Sequence, residues 1–74
     1  MEDSIRAVDR ALDVLMCFSS STPELSMTQI TEKVGMHKST VHRLLGTLEA
    51  RKFVQRDPVT GRYRPGLRLL QLAF

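Results

Sequence analysis

Cys17 is the only cysteine in these 74 residues, so no internal disulfide can form and neither a CxxC pair nor a zinc-finger spacing exists. The two histidines, His37 and His42, do not make up the shortfall; three such side chains at these spacings do not assemble a metal site. No stretch approaches the roughly 20 apolar residues of a membrane span, and the chain opens Met1-Glu2-Asp3, acidic where an export signal is basic. Catalytic patterns are missing too: there is no HExxH, no Gly-rich phosphate loop and no Ser/His/Asp arrangement in a structural context. No catalytic residue, metal, cofactor or membrane partner is therefore expected. A single thiol fits a reducing cytoplasm, with Cys17 as a small core or interface residue rather than a reactive group.

A chain of this length makes one domain and buries only about 60% of its unfolded surface, so its stability alone is expected to be marginal. With disulfides and metals excluded, oligomerisation is the remaining staple. What the chain does have is segregated charge. Residues 37–64 hold seven Lys/Arg (Lys38, Arg43, Arg51, Lys52, Arg56, Arg62, Arg64) against two acids (Glu49, Asp57), a net of +5. Residues 1–36 hold three Lys/Arg against six acids, a net of −3. One part of the chain attracts a polyanion and the other does not; a merely solvated basic face is the alternative that charge alone leaves open.

Periodicity supplies the elements. Ser4 is placed to cap a first helix running to about Phe18, ended by the Ser19-Ser20-Ser21-Thr22-Pro23 loop. That helix carries two apolar stripes, Ile5, Val8, Leu12, Leu15 and Met16 on one side and Ala7, Ala11, Val14 and Phe18 on another, where an ordinary surface helix has one. The second stripe is expected to bury against a later part of the chain or, preferably, against another subunit. Ser26-Met27-Thr28-Gln29 matches a capping box opening a second helix from Met27 to about Val34, and Gly35 follows where a sharp turn needs positive φ. The third helix, about His37 to Arg51, buries Val41, Leu44, Leu45 and Leu48, at i, i+3, i+4 and i+7. Its outer side shows Ser39, Arg43, Gly46 and Ala50, flanked by Thr40, His42 and Thr47. Two short strands, Phe53–Arg56 and Arg62–Arg64, are joined by the turn sequence Asp57-Pro58-Val59-Thr60-Gly61. Pro65 ends the second strand, and Gly66-Leu67-Arg68-Leu69-Leu70-Gln71-Leu72-Ala73-Phe74 begins a last helix that stops on an apolar run without a C-cap, as expected of a fragment of a longer protein.

Helix, helix, Gly turn, helix, basic hairpin is the order of a winged helix-turn-helix, a mainly α fold with a small β-hairpin. In that arrangement the third helix enters the major groove and the start of the second approaches the backbone. Ser39, Thr40 and Arg43 have side chains suited to base edges, Arg43 above all, because its fork can grip guanine O6 and N7 together; a phosphate-bound or solvated arginine is the alternative. Lys38 at the helix start suits a phosphate. Thr28 and Gln29 offer neutral donors to the backbone or serve as caps only. Arg62 and Arg64 are expected on one side of their strand, facing phosphates or a minor groove, with Tyr63 packed on the core. His42 is a further candidate for phosphate or base, or inert.

Four runs then carry a family resemblance: Arg10-Ala11-Leu12-Asp13-Val14-Leu15; Leu25-Ser26-Met27-Thr28-Gln29-Ile30; Lys38-Ser39-Thr40-Val41-His42-Arg43-Leu44-Leu45-Gly46-Thr47-Leu48-Glu49; and Phe53 through Leu70 with its Gly61-Arg62-Tyr63 wing. Together they resemble the N-terminal domain of IclR-type bacterial transcription regulators, over nearly the whole chain. The departure is His37, where the family often places a proline; without that fixed φ the third helix is expected to begin less firmly or one residue later. The resemblance implies a DNA-binding domain at residues 1–66 and, at 67–74, the start of a linker helix to a C-terminal domain that binds a small organic effector. It also implies a homodimer or tetramer, more often a repressor than an activator, on a pseudo-palindromic double-stranded operator, with the first helix part of the dimer contact. The competing classes are a winged helix used as a protein-interaction module, which should show an apolar, aromatic outer face on its third helix, and a regulatory domain fused to an enzyme.

Overall fold

The computed structural model describes residues 3–73. Met1, Glu2 and Phe74, assigned above to the acidic start and to the last helix, lie outside the described residues. The elements follow in the order α1 (Arg6–Leu15), α2 (Met27–Val34), α3 (Lys38–Ala50), β1 (Val54–Arg56), β2 (Tyr63–Pro65) and α4 (Leu67–Ala73). They form a winged helix-turn-helix.

The start of α1 corrects the sequence reading. Ile5, not Ser4, is the N-cap, with extended backbone and no side-chain cap bond. The helix also ends at Leu15 rather than Phe18. Met16 still donates to Leu12 O at 2.9 Å, but Cys17 and Phe18 donate to Val14 O and Leu15 O, three residues back. This tightening turns Cys17 and Phe18 in against the core. Burial pushes the Cys17 thiol up, with Asp13 adding to and Lys33 opposing the shift. Its S–H donates to Asp13 O at 3.4 Å.

The stripes of α1 also sort themselves differently from the expectation of a subunit contact for the second. Val14 is wholly buried, and Ala11 and Phe18 pack against the core. The first stripe is the one left outside: Ile5 is 69% exposed, Val8 52%, Leu12 52% and Met16 81%, with only Leu15 turned in. The side carrying Ala11 and Val14 is the less bulky of the two, and it lets α1 lie close to the other helices. Its partners in the core are Leu25, Ile30, Val41, Leu45, Leu48, Val54 and Tyr63.

Helix α2 is closed at both ends as expected. Gln29 N–H donates to Ser26 Oγ at 3.1 Å and Ser26 N–H to Gln29 Oε1 at 2.8 Å, a reciprocal cap in which the serine typically contributes about 1 kcal/mol. At the other end Gly35 takes φ +67° and donates to Thr31 O at 3.0 Å. Helix α3 begins one residue later than His37, which is its N-cap without a side-chain bond. It ends in a Schellman arrangement: Lys52 N–H bonds Glu49 O at 3.0 Å and Phe53 N–H bonds Leu48 O at 2.8 Å. The left-handed position there is held by Lys52, at φ +67°, instead of glycine.

The hairpin pairs Val54 with Pro65, Gln55 with Arg64 and Arg56 with Tyr63, antiparallel. Both strands begin one residue later than predicted. Arg62 belongs to the turn: its carbonyl accepts from Asp57 N–H at 2.8 Å and its own N–H goes to Thr60 Oγ1 at 3.2 Å, so the ladder opens only at Tyr63. Tyr63 is buried, as anticipated. Its outer edge carries a contact that no periodicity announced. Leu25 and Tyr63 exchange both backbone bonds, at 2.9 and 2.7 Å, tying the wing to the residue just ahead of the α2 cap.

Candidate nucleic-acid interface

The Leu25–Tyr63 bridge and the Gly35 turn set three basic or donor-bearing segments in fixed relation: the start of α2, the N-terminal half of α3 and the wing. Lys38 is the first residue of α3, exposed beside N–H groups without helical partners. Ser39, His42 and Arg43 are exposed on the same half. Among the described residues no carboxylate holds Arg43, and the Ser39 hydroxyl has no partner. Gly46, with nothing within 4 Å of where a Cβ would stand, keeps the next turn low. The outer side of α3 is thus small, polar and cationic, without an aromatic.

Thr40 stands apart from these. It is half-buried on the flank turned to α1, bordering a groove with Ala7, Arg10, Arg43, Leu44 and Thr47. Thr28 is exposed at the start of α2, while the Gln29 side-chain oxygen is committed to the capping box, leaving only its amide N–H groups to a partner. On the wing, Arg62 is exposed in the turn and not in the strand. Arg64 is half-buried, its Nε donating to Gln55 Oε1 at 3.4 Å. The pairing of Arg62 and Arg64 on one strand face is therefore replaced by a turn residue and a strand residue.

The wing tip is internally braced. Asp57 Oδ1 accepts from Val59 N–H at 2.8 Å and Thr60 N–H at 3.2 Å, and Gly61 N–H returns to Asp57 O at 2.8 Å. The N–H bonds from Val59 and Thr60 to its carboxylate hold Asp57 below the ordinary value near 3.8 against an opposing desolvation, with Arg64 adding the least. A depressed folded-state pKa means that this contribution is complete above the ordinary carboxylate value and is lost as pH falls through the folded one. Amide protection at Val59 and Thr60 should accordingly decline below about pH 4, while that at Leu25 and Tyr63 persists. Hydrogen exchange followed by NMR across pH measures this; protection at the tip that stayed level into stronger acid would refute the Asp57 brace.

The residue that sequence reading overlooked is Arg10. It belongs by position to the net-negative part of the chain, and on α1 it reads as one member of a polar face. The fold lays it against the α1-facing flank of α3, beside Thr40 and Arg43. Its spacing from Arg6 at i, i+4 was the only available signal, and that spacing does not say which neighbour the pair faces.

Residues 7–58 match the sequence model of the IclR helix-turn-helix domain. The chain is 39% identical over 67 residues to the HTH-type transcriptional regulator XynR of Escherichia coli K12, covering 90% of this chain and 27% of that relative. It is 45% identical over 67 residues to the HTH-type transcriptional regulator BhcR of Paracoccus denitrificans, covering 88% and 24%. The crystal structure of an IclR family transcriptional regulator from Brucella abortus superposes with a TM-score of 0.90 at 32% identity, over 96% of this chain and 27% of that one. The chain spans about a quarter of the length of these relatives.

Proposed function

Since the chain belongs to the IclR family of DNA-binding transcription regulators and is not an enzyme, we propose that it reads an operator in double-stranded DNA for a dimeric regulator, a repressor controlled by a small organic effector bound elsewhere in the full protein. The observation that carries the DNA-reading part is the outer side of α3: exposed Ser39 and Arg43 on its N-terminal half, Arg43 unpaired among the described residues, Lys38 at the helix start, and Gly46 with open space where its Cβ would stand, the placement with which a recognition helix meets a major groove. Arg43 and Ser39 read bases. Lys38, Thr28, the Gln29 amide, His42, Arg62 and Arg64 hold the backbone or an adjacent groove. Pairing of two copies is supported by the exposed Ile5, Val8, Leu12 and Met16 stripe of α1. It would set two recognition helices about one helical turn apart, on a pseudo-palindrome. Residues 1–66 form the DNA-binding unit in this reading and α4 starts the connection to an effector domain. Repression, the effector and a cytoplasmic location follow from the family resemblance.

Selection of sites from random duplex DNA by the full-length protein, with affinity followed across a salt series, tests this reading. An inverted repeat is the expected product. Salt-sensitive binding with no enriched sequence would reduce the site to a basic surface, and absence of binding would transfer the domain to a protein-interaction role.

A further inference from the structure

The contacts assigned so far leave one flank of α3 without a partner. A helix lying in the major groove, about 12 Å wide, has a phosphate backbone on each side, and most contacts that fix a protein on duplex DNA go to those backbones. The α2 start and the wing, joined by the Leu25–Tyr63 bridge, are assigned to one side. The other flank carries Thr40 and Thr47 and is the one turned to α1, whose Arg10 borders two adjoining grooves there, the first with Ala7, Thr40, Arg43, Leu44 and Thr47, the second with Arg6, Asp13, Gly35, His37 and Thr40; no carboxylate lines the first. Arg10 is half-buried, yet among the described residues no carboxylate holds its guanidinium, although Asp13 lies one turn further along α1. Thr40 is half-buried in the same groove, and its hydroxyl has no partner among the described residues. Arg10 and Arg43 thus border one groove, whose other walls are Ala7, Thr40, Leu44 and Thr47. The groove is cationic, and the planar fork of Arg10 suits a phosphodiester oxygen pair better than a point charge does.

We propose that the α1–α3 groove bordered by Arg10 and Arg43 seats a phosphodiester of the DNA strand flanking that side of the major groove, with Arg10 as its cation and the Thr40 hydroxyl as a second donor. Thr40 is then a backbone contact and not a base reader, and the DNA footprint extends onto α1. This rests on the DNA-reading role proposed above.

The test uses the full-length protein on its selected operator and on a scrambled duplex, with Arg10→Gln, which keeps much of the stem and removes the charge, Arg10→Lys, which keeps the charge, and Thr40→Val, which keeps the shape. Arg10→Gln should weaken both duplexes by the same factor and lower the slope of log affinity against log salt by about one unit. Arg10→Lys should restore the slope. Replacing single phosphates by methylphosphonates should reveal one position that costs the wild type affinity and costs Arg10→Gln and Thr40→Val much less, the coupling expected of groups in contact. Wild-type binding with an unaltered slope in Arg10→Gln would overturn the seat while leaving the DNA-reading role intact. So would a loss confined to one base position. Should Arg10→Gln fail to fold, the Thr40→Val arm decides: absence of any coupled phosphate overturns the proposal. A wild type that binds no duplex removes both readings together.

Discussion

Alanine at Arg43 should flatten the operator's preference at one base position, by about 1–3 kcal/mol if the native contact is bidentate, which is roughly a five- to 150-fold loss of discrimination at that position. The expectation rests on placement: Arg43 is exposed on the N-terminal half of α3, no carboxylate among the described residues holds it, and the small residues Ser39 and Gly46 on the same side let the helix approach closely. Lys38→Ala is the comparison. As a point charge at the helix start it should weaken all sequences alike and lower the salt slope by about one unit, without changing the preferred sequence. Binding profiles of both variants against a panel of single-base operator changes separate the two roles. Equal, sequence-independent losses would make Arg43 a phosphate contact.

Gly66→Ala should be the most damaging small change to the fold. A Cβ at Gly66 would stand against the carbonyl oxygen of Lys52 and at 2.8 and 2.9 Å from the carbonyl carbons of Lys52 and Phe53. These are backbone atoms with no rotamer to yield. They also belong to the junction that joins α3, the wing and α4: Gly66 N–H donates to Phe53 O at 2.9 Å and Arg68 N–H to Lys52 O at 3.0 Å. Relieving the clash therefore means losing one or both bonds, or moving a segment already committed to the left-handed turn at Lys52. Overpacking typically costs about 1–3 kcal/mol, a large share of the roughly 4–11 kcal/mol expected of a domain this size. Gly46→Ala provides the contrast. Nothing lies near its missing Cβ, so inside α3 alanine should stabilise by about 0.5–1 kcal/mol, while the added methyl on the DNA-facing side should weaken operator binding. Thermal unfolding of the two variants should shift in opposite directions; a Gly66→Ala domain as stable as the wild type would refute the steric role of the junction.

What the sequence determined by itself was written over short spans of chain. The capping box at Ser26–Gln29, the left-handed Gly35, the apolar period of α3 and the Asp57–Gly61 turn each rest on bonds and sterics between chain neighbours, so local residue identity is enough to specify them. The order of these elements made the winged helix-turn-helix legible, and with it the small, polar and cationic outer side of α3. The tertiary structure alone decided between alternatives that are locally equivalent. Both stripes of α1 are helical and apolar, and only packing against elements ten or more residues distant selected Ala11, Val14 and Phe18 for the core and left Ile5, Val8, Leu12 and Met16 outside. The Leu25–Tyr63 bridge, spanning 38 residues, has no period to betray it, because a single paired residue forms no pattern. Arg10 was equally hidden, since the charge of a segment says nothing about where its helix lies. Local structure follows from bonds within one turn of chain; burial and juxtaposition follow from how whole surfaces fit, a property that no single stretch of sequence contains.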